Sequence, residues 1–137
     1  MYLNLLNYTD TLSEIPGELC LTLSLDGCPH GCLGCFWDKF KGQGKFVDYH
    51  SLLMKYQDKG YCVVFLGGDW LPHIEDYFKL AKELGFKVAF YTGLPEWKRI
   101  NYLDYLKTGA YIRELGPLGS EKSNQKLINL KTGEQIK

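Results

Sequence analysis

The sequence has little arginine. Arg99 and Arg113 are the only two among 16 basic residues, and 16 acidic residues bring the net charge to zero. Nucleic-acid binders draw affinity from positive charge and favour Arg for bidentate contacts, so no nucleic-acid partner is expected. Long apolar runs are also missing. The longest, Tyr61 to Leu66, is strand-sized, whereas a bilayer span needs about 18 residues, so no membrane partner is expected. Met1 to Asp10 lacks a basic stretch followed by an apolar block. No export signal is read, and the expected compartment is the cytoplasm. The five cysteines are an odd number, which without an export signal argues against a disulfide framework.

What is present suits one globular domain over residues 1–137, with a core at about 16–118 and a polar tail at about 119–137. Apolar residues make up 45%, with ten Tyr and seven Phe, which excludes disorder. Leu19 to Leu25 places leucines at odd positions and Cys20, Thr22 and Ser24 at even ones, the period of a strand. One face is bulky enough to pack on helices, and the other leaves space for a ligand. Asp48 caps a predicted helix carrying Tyr49, Leu52, Leu53 and Tyr56, stopped by Gly60. Tyr61 to Leu66 reads as a buried parallel strand. Pro72 opens a second helix through Ile74, Tyr77, Phe78, Ala81 and Leu84, stopped by Gly85. Phe86 to Tyr91 is a third strand. Pro95 opens a third helix through Trp97, Ile100 and Leu103, ending at Gly109, and Ala110 to Arg113 is a fourth strand. In the tail, Leu127, Ile128, Leu130 and Ile136 suit a strand or hairpin around Thr132-Gly133. Strands alternating with helices predict an α/β fold with a parallel sheet. A full eight-unit barrel needs roughly 200 residues or more. The expectation is therefore a partial, open (βα) barrel of about four to five βα units, or an open doubly wound sheet.

Ligands of parallel α/β proteins sit beyond the carboxyl ends of the strands. Those ends are expected at Asp26-Gly27 and the cysteines, Gly67-Gly68-Asp69, Thr92-Gly93 and Arg113-Glu114. The cysteine segment reads Cys28-Pro29-His30-Gly31-Cys32-Leu33-Gly34-Cys35, three thiols within eight residues. Thiolates favour zinc or iron–sulfur centres. Structural zinc takes four ligands, and His30 is a poorly spaced fourth. A cubane cluster held by three cysteines leaves one iron open to a substrate. Cys20 and Cys62 lie inside strand patterns and read as inert core thiols. Gly67, Gly68 and Asp69 form either a tight turn or a ligand site, in which the glycines admit close backbone approach and Asp69 accepts from an ammonium. Phe36 and Trp37 either pack the loop or lie beside a flat ligand such as a purine.

The spacing Cys28-x3-Cys32-x2-Cys35 after a strand resembles the radical S-adenosylmethionine (radical SAM) superfamily. Within it the chain is similar to the small activating proteins of anaerobic ribonucleotide reductase. The supporting residues are Pro16-Gly17-Glu18, Gly27 to Cys32, Leu66 to Asp69, Tyr91-Thr92-Gly93, Asp104 to Leu118 and Ser123 to Gln125. The resemblance implies that Cys28, Cys32 and Cys35 ligate a [4Fe–4S] cluster whose open iron chelates SAM. It implies that Gly67, Gly68 and Asp69 hold the methionine ammonium, with Thr92 near the ribose or methionine. It implies reductive cleavage of SAM to a 5′-deoxyadenosyl radical that takes hydrogen from a glycine of the large reductase subunit, with a low-potential electron donor as second partner. Two positions depart from the superfamily pattern. Gly34 stands where an aromatic residue is common, so Phe36 or Trp37 would supply the purine wall. Asp69 stands where Glu is common. The alternatives are a small radical SAM enzyme acting on a small molecule, and an iron–sulfur or zinc binding module without catalysis.

Overall fold

The computed structural model describes residues 1–27, 42–110, 112, 114–116, 118–121 and 123–137. The chain forms β1 (Tyr2–Thr11), β2 (Leu19–Leu25), β3 (Lys45–Asp48), α1 (Tyr49–Tyr56), β4 (Tyr61–Leu66), α2 (Ile74–Glu83), β5 (Lys87–Tyr91), β6 (Tyr105–Thr108) and β7 (Lys126–Asn129). All seven strands join one sheet in the order β3-β1-β2-β4-β5-β6-β7. Strands β2, β4, β5 and β6 run parallel. Antiparallel strands flank them, β1 and β3 on one side and β7 on the other. The fold is α/β, but the sheet is mixed where an all-parallel one was expected, and its edges are β3 and β7.

Capping chemistry marks the start of α1 and the end of α2. The Asp48 side chain accepts the Ser51 N–H at 3.3 Å and starts α1. After α2, the Gly85 N–H bonds to Lys82 O and the Phe86 N–H to Ala81 O, each at 3.0 Å. Gly85 has φ +91°. This is the Schellman arrangement, which favours glycine at the left-handed position. Tyr49, Leu52 and Leu53 of α1 and Ile74, Phe78 and Ala81 of α2 pack in one cluster with Leu21, Leu23, Leu25, Val63, Phe65, Val88, Phe90 and Leu106. Both helices therefore cover the same face of the sheet. The parallel strands also follow one another in space in chain order. A doubly wound sheet instead reverses its order and carries helices on both faces.

The structure departs from the sequence pattern in four places. First, β1 escapes the periodic pattern because its register with β2 shifts between Leu5 and Asn7. A bulge moves later side chains to the other face and breaks the alternation. Second, the core extends past both ends of 16–118: Leu3, Leu5 and Leu127 are buried. Third, no helix forms after Pro95, and α1 and α2 are the helices among the described residues. The chain there runs irregularly, with Trp97 edge-on to Phe90 at 4.8 Å and Ile100 exposed. Fourth, the last parallel strand is Tyr105–Thr108 rather than Ala110–Arg113. It ends at Gly109, whose φ is +98° and where a Cβ would lie 2.8 Å from the Asn124 carbonyl oxygen. The tail forms the expected strand and turn, β7 with Ile128 bridging to Gln135 across Thr132-Gly133, and β7 also pairs along β6, which the sequence did not indicate.

Candidate functional site

On β2 the face away from the helices carries small or polar groups. Leu21 and Leu23 point at the helices, so Cys20, Thr22 and Ser24 point the other way. Pairing extends that row across the sheet as Asn7, Ser24, Leu66, Tyr91, Lys107 and Leu127. A second core covers the end of this face at which the parallel strands begin. Ile15 packs there with Cys20, Cys62, Val64, Ala89, Tyr105 and Leu127, and Leu118 and Ile136 lie against them. Polar contacts pin the segment around Ile15. The Tyr91 hydroxyl donates to Glu14 O at 2.7 Å, and Glu18 accepts from Lys87 at 2.8 Å and Tyr105 at 3.4 Å. Burial pushes the Glu14 carboxyl above its ordinary pKa, against the opposing charge of Lys137.

The carboxyl ends of the parallel strands carry a connected set of polar groups. Thr92 follows β5 and is fully buried. Its hydroxyl donates to Asp69 Oδ2 at 2.5 Å and accepts the Leu94 N–H at 3.1 Å. Two residues singled out separately in the sequence, Asp69 and Thr92, thus meet. Lys107 of β6 was not singled out. It is only 9% exposed, and its ammonium donates to Thr92 O at 3.3 Å and Gly109 O at 2.9 Å. Gln125 also donates to Gly109 O, at 3.2 Å. Burying an amine is costly unless it is hydrogen-bonded, and those carbonyls reduce that cost. Thr22, 3% exposed, has a buried hydroxyl oxygen with no partner among the described residues. An orphaned polar atom on this face suits a site that a polar ligand or water completes.

Gly67 and Gly68 have φ of +89° and +112°, a backbone conformation that glycine adopts at little cost. Their missing side chains leave no open space. A Cβ on Gly67 would lie 2.8 Å from the Trp70 ring, and one on Gly68 would lie 3.0 Å from Leu25 and Ile74. The Trp70 ring also reaches the Cβ position of Gly27, at 3.4 Å. The glycines therefore let the turn pack against its own core and Trp70. Gly93 follows Thr92 and is half-buried.

Cys28, Cys32 and Cys35, with Gly34, Phe36, Trp37 and His30, lie outside the described residues, as does Arg113. Among the described residues no group of three His, Cys, Asp or Glu side chains gathers as a metal site. Cys20 and Cys62 are neighbours in register on β2 and β4 and are fully buried, free thiols. Hydrogen bonding between them, followed by burial, pushes the Cys62 thiol far up, while the same bond is the main cause lowering Cys20. Both sit in the second core, as the strand pattern implied. No helix among the described residues is long and apolar enough to cross a membrane. No family model matches the chain, and no curated protein matches it.

Proposed function

We propose that the protein is a radical SAM activating protein whose substrate is the large glycyl-radical subunit of an anaerobic ribonucleotide reductase. The observation that carries this reading is the Cys28-x3-Cys32-x2-Cys35 segment, which begins directly after Gly27 at the carboxyl end of the first parallel strand. Three thiolates at that place suit a [4Fe–4S] cluster with one open iron. When bound, the cluster and SAM would supply a one-electron cleavage that delivers a 5′-deoxyadenosyl radical to the partner's glycine.

The chain's own residues bind and orient. Cys28, Cys32 and Cys35 hold the iron. Asp69 accepts from the ammonium of the methionine end, and the buried ammonium of Lys107 attracts its carboxylate. Thr92 links the two, donating its hydroxyl to Asp69 while its carbonyl takes a bond from Lys107. An acid and an amine joined through one residue match the two charges of an amino-acid group. The hydroxyl of Thr22, without a partner among the described residues, and the small side chain of Ser24 lie on the same face, and Phe36 or Trp37 would flank the purine.

The test is anaerobic reconstitution with iron and sulfide, followed by electron spin resonance of the reduced protein with and without SAM. A cluster signal that changes on adding SAM supports the reading. A colourless protein holding stoichiometric zinc overturns it in favour of a binding module. Mixing with the reductase, SAM and reductant should then give a glycyl radical. A SAM-responsive cluster with no such radical removes this substrate and favours a small-molecule reaction.

A further inference from the structure

Asp26 follows β2 and is 6% exposed. Its Oδ1 accepts the N–H of Gly27 at 2.7 Å and of Gly42 at 2.9 Å, and its Oδ2 accepts the N–H of Gly44 at 2.9 Å. Gly27 directly precedes Cys28, and Gly42 directly follows residue 41. One carboxylate therefore grips the backbone on both sides of the segment that bears the three cysteines. A local Asx turn reaches only about two residues along the chain, whereas these bonds span 16 and 18 residues.

The grip is tightly built. The Asp26 N–H bonds to Asn4 O at 3.0 Å, which fixes the residue to β1. A Cβ on Gly44 would lie 2.5 Å from Asn4 Oδ1 and 2.8 Å from Asp26 Oδ2, so only glycine lets that backbone approach. Bonds from N–H groups to an ionised carboxylate are the strong kind.

We propose that Asp26 is a positioning residue for the metal centre: it holds the two ends of residues 28–41 together, so that metal binding need not close the loop. The inference rests on the radical SAM reading. A loop closed by the metal itself subtracts its closure entropy from the metal's affinity. Asp26 removes that loss in advance without touching the metal.

The test compares the wild-type chain with Asp26→Asn, which keeps the size of the side chain but removes its charge and turns one accepting oxygen into an NH2 group that cannot accept an N–H bond. Both are reconstituted anaerobically, and iron loss to a chelator is followed by the decay of cluster absorbance. Circular dichroism of both confirms the fold. The expected result is a folded Asn variant that loses iron roughly tenfold faster or more, with an altered spin-resonance signature of the reduced cluster. A purely structural role would lower the melting temperature and leave that signature unchanged. Iron loss at the wild-type rate from a folded Asn variant overturns this inference and leaves the radical SAM reading standing. A wild-type chain that takes up no iron overturns both. If the variant does not fold, hydrogen exchange in the metal-free wild-type protein decides. Protected amides at Gly27, Gly42 and Gly44 support the grip, and rapid exchange there with the sheet protected overturns it.

Discussion

Replacing Asp104 by Ala should destabilise the protein well beyond an ordinary surface change. Asp104 directly precedes β6 and is 3% exposed. Its Oδ2 takes Lys82 Nζ from α2 at 2.7 Å and the Val88 N–H from β5 at 2.8 Å. Its Oδ1 lies 3.0 Å from Lys131 Nζ, an ion-pair distance without hydrogen-bond alignment. One carboxylate thus ties the last helix, two strands and the tail. The lysine side chains are 34% and 68% exposed, so water takes over much of their solvation and their share is discounted. The Val88 N–H has no such recourse. A lost charge-assisted bond and a stranded N–H cost about 1.5–3 and 1–3 kcal/mol in isolation. With the lysines discounted, the expected loss is about 2–4 kcal/mol. For a domain of this size that is roughly a 10 °C fall in Tm. Burial is the largest single influence on this carboxyl and raises its pKa, but Lys82, the Val88 N–H and Lys131 together hold it below the ordinary range. A lowered pKa contributes stability above the unfolded carboxylate value, about 3.9, and that contribution fades as pH falls through the folded value. Urea unfolding of wild-type and Ala forms should therefore show a constant gap from pH 7 to 5 that narrows below pH 4. A gap under about 0.5 kcal/mol at pH 7, the size of an ordinary surface change, or one that widens in acid would refute the reasoning.

Lys107→Met should leave the fold intact and weaken SAM binding to the reconstituted protein by roughly tenfold or more, as loss of a charged contact does; an unchanged Kd in calorimetry removes Lys107 from the site. Gly67→Ala should cost about 1–3 kcal/mol from its left-handed backbone and its clash with Trp70. Adding Trp70→Ala should recover the steric part, and strict additivity in the double-mutant cycle would show that the ring does not set this position. Cys62→Ala should retain the iron content of the wild type at a modest loss of stability, whereas Cys32→Ala should hold less iron; equal iron loss from both, measured on folded protein, contradicts the division of the cysteines into core and ligand.

The helices were legible because their signals are local. Asp48 and Gly85 act on groups within a turn of themselves, and each helix repeats its apolar face inside a dozen residues. Strands β2, β4 and β5 were legible for the same reason. The bulge in β1 hid a ten-residue strand by moving its pattern to the other face midway. The stretch after Pro95 misled in the opposite direction. Trp97, Ile100 and Leu103 have helical spacing, but Trp97 packs edge-on to Phe90 while Ile100 is exposed. With that false helix laid over it, β6 was lost, and Lys107 with it. Nothing local distinguishes Lys107 from the other lysines. Its burial is set by Thr92 O and Gly109 O across neighbouring backbone. Asp69 and Thr92 were each visible as residues at strand ends, but their bond spans 23 positions.

A sheet must cover both faces or supply polar groups to the one left open. Here α1 and α2 pack on one face, with Trp70, Leu71 and Trp97 beside them. On the other, Ile15, Leu118 and Ile136 seal the end where the parallel strands begin. Toward the opposite end polar groups follow on β2 and β6, while β4 stays apolar through Val64 and Leu66. On β2, fully buried Cys20 gives way to Thr22, whose hydroxyl has no partner among the described residues. On β6, Tyr105 of the second core gives way to the ammonium of Lys107. On β5, Ala89 and Tyr91 stay with the second core, and Thr92 just beyond the strand is bonded to Asp69. Polar groups placed there weaken a core, and a strand end that served packing alone would gain from apolar replacements. On the proposed reading, Asp69 would face the ligand's cationic group and Lys107 its anionic group. On that reading these side chains, and not the cysteines alone, would serve a zwitterionic ligand such as SAM.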